Sequence, residues 1–289
     1  IIKLFEDANY RNNFQKIHSH LPDMDKIDSI IGIGGGLPID ISKYLGYFYN
    51  KKVIAIPMVL STNAFSTNKT AFCSNRIKET IPTKLPDEII FDYDIISESN
   101  TFNMLGICDV LSIYTALFDW SISNEPIDEW SFQTAKALLE ETFRLIDTYE
   151  DKIPTELIYA IVAQSGDITN MYGSGRPESG SEHIFAKQLE GMITLPHGIA
   201  VSIGVILMSF LQNNDPTKIC IALKKIGIFK LIRSRYSSIS KDLIKDALYS
   251  VKPRKDRITI LNKLQTINID DKNRLYDKAL LFLEKQIWS

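Results

Sequence analysis

Between Lys26 and Leu45 the chain passes from an apolar run, Lys26-Ile-Asp-Ser-Ile-Ile-Gly-Ile-Gly34, through three consecutive glycines, Gly34-Gly35-Gly36, into Leu37-Pro-Ile-Asp-Ile-Ser-Lys-Tyr-Leu45, which has helical spacing. A strand that turns at once into a helix has to return by a crossover, and this restricts the segment to a parallel sheet covered by helices. Lys52-Val-Ile-Ala-Ile-Pro57 supplies a second buried strand and, after a proline-punctuated connection, Glu88-Ile-Ile-Phe-Asp-Tyr93 a third. The glycines let the backbone approach an anion, with free N–H groups and the positive end of the helix dipole facing it. Pro38 suits the first helical turn, where a missing N–H costs little. The spacing departs from the dinucleotide fingerprint, and a tight strand-to-helix turn calls for the same glycines, so the motif by itself leaves both uses open.

From about Thr101 the pattern changes. Segments near 101–124, 128–148, 154–170, 180–191, 196–212, 214–227, 240–250, 253–265 and 270–287 all carry helical periodicity. The expected architecture is α/β: a parallel-sheet N-terminal domain over residues 1–100 and an all-helical, metal-binding domain over 101–289. A helix over 3–18, with Leu4, Phe5, Phe14 and Ile17 on one stripe, precedes the first strand. The chain opens at Ile1 without a methionine, so the N-terminal domain is expected to lack upstream residues.

The balance of Lys, Arg, Asp and Glu leaves a net charge of −2, which points to neither nucleic acid nor a membrane surface. Three widely spaced cysteines, Cys73, Cys108 and Cys220, suggest no disulfide framework and fit a reducing cytoplasm. With no apolar run of roughly eighteen residues and no signal-peptide pattern, no membrane anchor is expected.

Of the four histidines, His18, His20, His183 and His197, two lie close together, in Arg176-Pro-Glu-Ser-Gly-Ser-Glu-His183-Ile-Phe-Ala-Lys187 and Leu195-Pro-His197-Gly198. Two neutral imidazoles and a carboxylate form a tripod for a divalent metal with positions left open for water or substrate. A histidine at a helix start is also a common structural group. Asp109, in Leu105-Gly106-Ile-Cys108-Asp109-Val, is the candidate carboxylate, since an ionised group among apolar neighbours is costly unless paired or metal-bound. The loop Met58-Val-Leu-Ser61-Thr-Asn63-Ala-Phe-Ser-Thr67 follows the carboxyl end of a strand, where open α/β sheets bind ligands, although a plain polar loop has the same composition.

Taken together, Gly34-Gly-Gly-x-x-x-Asp40, Ser61-x-Asn63, Gly106-x-x-Asp109, Asp119-Trp120, Arg176-Pro-x-Ser-Gly-Ser-Glu-His183, His197-Gly198 and Asp256-Arg257-x-Thr259-Ile-Leu261 resemble, in order, the iron-containing alcohol dehydrogenase superfamily. Within it the sn-glycerol-1-phosphate dehydrogenases are the most similar group. The resemblance implies a Rossmann-like N-terminal domain and a helical C-terminal domain of the dehydroquinate-synthase type, with the active site between them. It implies pyrophosphate contacts from Gly34, Gly35, Gly36, Leu37 and Pro38, and further cofactor contacts from Met58, Ser61 and Thr67. Metal ligation falls to Asp109, His183 and His197, and Asp109, Asn63 and Lys187 are the residues implied in catalysis. The cofactors are NAD or NADP and one divalent metal, zinc foremost, with iron or nickel as alternatives.

Three positions depart from the family pattern. Met58 replaces a threonine, Asn63 an aspartate that holds the substrate hydroxyl, and Lys187 a second histidine near the substrate. The last two changes make the pocket more positive and point to an anionic substrate, with Lys187 clamping a phosphate or carboxylate. The expected reaction is hydride transfer between a nicotinamide and a small keto or polyol phosphate, as in dihydroxyacetone phosphate reduction. The alternatives are a sugar-phosphate cyclase of the dehydroquinate-synthase kind and a catalytically weakened metal- and nucleotide-binding homologue. The expected partner is a small anionic substrate, and assembly into a homo-oligomer is left open.

Overall fold

The computed structural model describes residues 17–18, 21–74 and 77–288, with backbone alone for 72–74 and 77–79. Of the helix expected over 3–18, all but Ile17 and His18 lies outside the described residues. The glycine turn folds as its sequence dictates: β1 (Ser29–Gly34) leads into α1 (Gly36–Phe48). β2 (Lys52–Pro57) then returns parallel to β1, in a register running from Ser29 opposite Lys52 to Gly34 opposite Pro57.

Residues 69–82 were expected as a connection but form an antiparallel hairpin, β3 (Lys69–Ser74) and β4 (Ile77–Pro82). An isolated hairpin is marginal in water, and this one is held by charge buried on α1. Asp40 Oδ2 accepts from the Ala71 N–H at 3.1 Å, while Asp40 Oδ1 pairs with Lys43 Nζ at 3.1 Å. The same ammonium donates to the carbonyls of Thr67, at 3.0 Å, and Lys69. Burial lowers the affinity of Lys43 for its proton, and the charge of Asp40 works against that loss.

The third parallel strand, β5 (Glu88–Ile89), is shorter than expected and completes a sheet of order β1-β2-β5. Asp92 ends the extended run by accepting from the Ile95 N–H at 3.2 Å, which caps the short α2 (Tyr93–Ser97).

The helical part begins with α3 (Asn100–Leu111) and α4 (Ile113–Ser121), one expected helix interrupted at Ser112. The Ser112 hydroxyl lies 2.5 Å from the carbonyl oxygens of both Asp109 and Glu178 and so ties the joint to a distant loop. Asn100–Ser121 is long and apolar enough to resemble a membrane span, but 72% of its apolar window is buried inside the protein, as in a core helix. There follow α5 (Glu129–Tyr149), α6 (Thr155–Tyr172), α7 (Ser181–Met192) and α8 (His197–Leu211). The last is apolar on all sides and runs through the centre of the core.

α9 (Pro216–Lys225), α10 (Ile228–Arg235), α11 (Lys241–Ser250), α12 (Ile260–Leu264) and α13 (Ile269–Ile287) close the chain. α10 had no separate expectation. The helix expected over 253–265 shrinks to α12, because Thr259 is extended and forms a capping box with Asn262 that sets the helix start there.

Close approaches fasten these layers. A Cβ on Gly106 would lie 2.0 Å from the Leu60 carbonyl oxygen, and one on Gly198 would lie 2.5 Å from the Leu105 carbonyl oxygen. Only glycine lets α3 meet the loop after β2 on one side and α8 on the other. The loop itself is pinned to α3 by the Leu60 N–H, which donates to buried Asn103 Oδ1 at 2.8 Å.

Candidate active site

α3 presents Asp109 near its C-terminal end, α7 presents His183 in its first turn, and α8 presents His197 as its first residue. Asp109 Oδ1 lies 3.2 Å from His183 Nε2 and 3.6 Å from His197 Nε2, and one donor atom from each of the three falls within 4.8 Å of the others. Donors around a tetrahedral zinc, at roughly 2.0–2.2 Å from the metal, sit about 3.3–3.6 Å from one another. The set therefore has nearly the dimensions a divalent cation needs.

The outer nitrogens carry the orientation. His183 Nδ1 lies 2.9 Å from Glu182 Oε1, and His197 Nδ1 lies 2.9 Å from Glu190 Oε1. Carboxylates at Nδ1 fix the tautomer that turns the Nε2 lone pairs inward, the arrangement of metal-ligating histidines. Burial opposes charge on His183, but hydrogen bonds to Asp109 and Glu182, together with their charges, outweigh it and raise the imidazole to about 9. A cation at Nε2 would take the place of that proton. The donor chemistry thus fits a bound divalent metal.

The motif residues around this tripod hold it rather than join it. Buried Arg176 donates to the carbonyls of Asp119 at 3.2 Å and Ile258 at 2.9 Å, and its Nε pairs with Glu125 at 3.1 Å. Asp119 accepts from the N–H groups of Ser181 at 2.6 Å and Ile260 at 2.8 Å. Burial and the neighbouring Glu182 push the Asp119 carboxyl up to about 6. Arg257 donates to the Ser179 carbonyl at 2.6 Å. Together they clamp the turn that starts α7, and with it His183.

At the sheet end, Gly35 is the N-cap of α1 without a side-chain capping bond, and Gly34 has φ of +136°, a region that favours glycine. A Cβ on Gly36 would meet Thr62 Oγ1 at 2.8 Å, so the glycine turn and the strand-end loop are in close contact. Gly34, Gly35, Gly36, Leu37 and Pro38 surround an open helix N-terminus suited to a pyrophosphate. The Met58 N–H donates to the Gly34 carbonyl at 3.0 Å, which sets Met58 beside that turn with Ser61 further along the loop. Thr67 is buried at the far end, its hydroxyl 3.4 Å from Asn170 Oδ1 and 3.3 Å from the Lys69 N–H.

Asn63 and Lys187 have surroundings that the sequence did not foretell. Asn63 Nδ2 lies 3.2 Å from each carboxylate oxygen of Glu178 and 2.9 Å from Ser165 Oγ. Ser165 and Thr169 on α6 also donate to Glu178, at 2.7 Å and 2.5 Å. Burial and the charge of Asp109 raise the Glu178 carboxyl above its ordinary value, while bonds from Thr169 and Ser165 and the charge of His183 act to lower it. Glu178 is the functional candidate the sequence left unassigned, and its only signal was a carboxylate between Pro177 and Ser179 in the histidine motif. Lys187 stands one turn beyond His183 on α7, its Nζ donating to Thr80 Oγ1 of the hairpin at 3.3 Å.

A family model of the iron-containing alcohol dehydrogenases matches residues 1–99. The glycerol-1-phosphate dehydrogenase (NAD(P)+) of Korarchaeum cryptofilum is 30% identical over 257 residues, covering 82% of this chain and 80% of that protein. The enzyme of the same name from Methanococcus aeolicus is 31% identical, covering 81% and 73%. Among solved structures, a probable glycerol dehydrogenase from Sinorhizobium meliloti superposes with a TM-score of 0.68 at 16% identity, over 89% of this chain and 78% of that one.

Proposed function

The chain belongs to the iron-containing alcohol dehydrogenase family, alongside glycerol-1-phosphate dehydrogenases, and on that premise we propose that it transfers hydride between NAD(P) and a small ketone or polyol phosphate, reducing dihydroxyacetone phosphate to glycerol 1-phosphate. The observation that carries this reading is the convergence of Asp109, His183 and His197 within 4.8 Å. In this proposal those three hold the metal, whose chemistry is to polarise the substrate carbonyl. The nicotinamide supplies the hydride.

The chain's own groups do the rest. Glu182 and Glu190 keep both imidazoles in the ligating tautomer. The glycine turn offers the start of α1 to the cofactor pyrophosphate, Met58 and Ser61 lie on the loop beside it, and buried Thr67, its hydroxyl held by Asn170 and the Lys69 N–H, shapes the far end of that loop. Lys187 is the proposed clamp for the substrate phosphate, its ammonium exchanging the Thr80 hydroxyl for a charged oxygen. Residues before about 100 would serve the cofactor and those after it the metal. We assign zinc as the first metal to try, with iron and nickel next, and a cytoplasmic location.

The test is to load purified protein with each metal in turn and follow nicotinamide absorbance with dihydroxyacetone phosphate and with dihydroxyacetone. Metal-dependent turnover that prefers the phosphate is the expected result. A preference for the uncharged ketone would remove the role given to Lys187, and cofactor that never turns over would remove the dehydrogenase.

A further inference from the structure

We propose that Asn63 and Glu178 form one functional pair on the substrate side of the cleft, in which Glu178 supplies the negative charge and sets the Asn63 amide so that its carbonyl oxygen faces the substrate. This rests on the dehydrogenase reading above and adds a positioning residue to it.

The geometry is specific. Ser165 donates to one Glu178 oxygen and Thr169 to the other, so both oxygens act as acceptors, and the asparagine whose terminal atom lies 3.2 Å from each presents its NH2 group to them. Ser165 and Thr169 complete the set of donors around that carboxylate. The amide orientation is thereby fixed, and Oδ1 is directed away from Glu178. Oδ1 accepts no hydrogen bond among the described residues and is not among the sealed buried atoms that lack a partner, so it stands ready to accept from a substrate hydroxyl. Glu178 is also tied to the tripod's own helix joint, since its carbonyl meets the Ser112 hydroxyl at 2.5 Å. The charged groups facing its carboxylate are Asp109 and His183.

In the family pattern a single aspartate at position 63 would provide both the acceptor and the charge. Here the two are divided between residues 115 apart in sequence. The charge has been relocated rather than lost, and restoring an aspartate at 63 with Glu178 in place sets two carboxylates against one another at about hydrogen-bond distance, where like charges cannot both ionise freely. The simple repair of the apparent defect at Asn63 should therefore do harm.

Three variants test this: Asn63→Asp, Glu178→Gln and the two together. For each, kcat/KM for dihydroxyacetone phosphate is measured with metal loaded, from neutral to alkaline pH, and the melting temperature of the metal-free protein is followed over acid to neutral pH. Each single change is expected to lower kcat/KM by about tenfold or more, since apposed like charges, or a charge lost from its donors, cost upward of ~1.4 kcal/mol. The Asn63→Asp protein should also lose melting temperature as pH rises, because one carboxyl of the pair has its folded pKa raised and its contribution disappears once it ionises. The double variant, with one charge and one amide in exchanged places, should recover to within about threefold of the parent and lose the extra pH dependence.

Asn63→Asp alone equal to or better than the parent overturns the proposal, as does a double variant no better than the worse single one. If Asn63→Asp does not fold while the double variant folds and works, the proposal stands. A parent protein that turns over no ketone phosphate defeats the dehydrogenase reading, while the melting profiles still decide whether the two side chains exchange charge as a unit.

Discussion

Two clusters of buried charge, one beneath the β-hairpin and one among α3, α7 and α8, manage ionisation in opposite ways. Under the hairpin Asp40 and Lys43 meet at 3.1 Å, and the ammonium has further acceptors in the carbonyls of Thr67 and Lys69. One charge cancels the other. Around the tripod, the carboxylates of Asp109, Glu178, Glu182 and Glu190 gather about two imidazoles that are neutral when they act as ligands. His183 keeps its proton up to about pH 9 in the metal-free protein; with both imidazoles neutral, as ligation requires, the surplus of negative charge is what a divalent cation would offset. The difference teaches that the charge balanced under the hairpin serves as scaffold, whereas the carboxylates gathered at the tripod have the excess charge that the proposed metal would answer.

The contrast breaks most readily at the unbalanced end. His197→Ala, which removes one donor, should lower kcat/KM about a thousandfold or more, the several kcal/mol that a metal supplies, yet leave the denaturant midpoint of the metal-free protein close to that of the parent. A fold that collapsed with His197 would erase the distinction. At the balanced end, Lys43→Met leaves Asp40 buried without its counter-charge and should cost about 3–5 kcal/mol of unfolding free energy, read by urea titration.

Asp119 is an intermediate case, a buried carboxylate satisfied by two backbone N–H groups. Its folded pKa is raised from 3.8 to about 6, so the folded protein binds the proton more tightly than the unfolded chain does. Its contribution is complete below the unfolded value and is lost as pH rises through about 6, a change of up to ~3 kcal/mol. Stability curves of the parent and Asp119→Asn should diverge across that window and run parallel above it. The smallest effect is assigned to Glu190→Gln, which weakens the orienting bond to His197 and should reduce zinc affinity by about 10–100-fold in a chelator competition.

The features legible in the sequence were those encoded locally or in the order of motifs. Strand, glycines and helix followed one another without a gap, and His183, His197 and Asp109, which the structure brings together, could be singled out because their neighbours resemble a family pattern. What stayed hidden depends on distant partners. Glu178 acquires meaning only when the loop before α7 closes on Asn63, and Lys43 reads as an ordinary helix lysine until the hairpin covers it. The hairpin was missed because its anchors, Asp40 and Lys43, lie far back in the chain. Arg176, Asp119 and Arg257 were recognised as motif members, but their work as a clamp on the α7 turn emerged only from their hydrogen bonds.

The fastening of Leu60 to α3 has a mechanical consequence. With its N–H held by Asn103 and its carbonyl lying over Gly106, the loop that bears Asn63 is fastened to the helix that bears Asp109, while Thr62 beside Gly36 and the Thr67 carbonyl on Lys43 tie the same loop to α1. The loop is thus a strap between α1 and α3, and the distance from Asn63 to Asp109 is set by anchors on both helices.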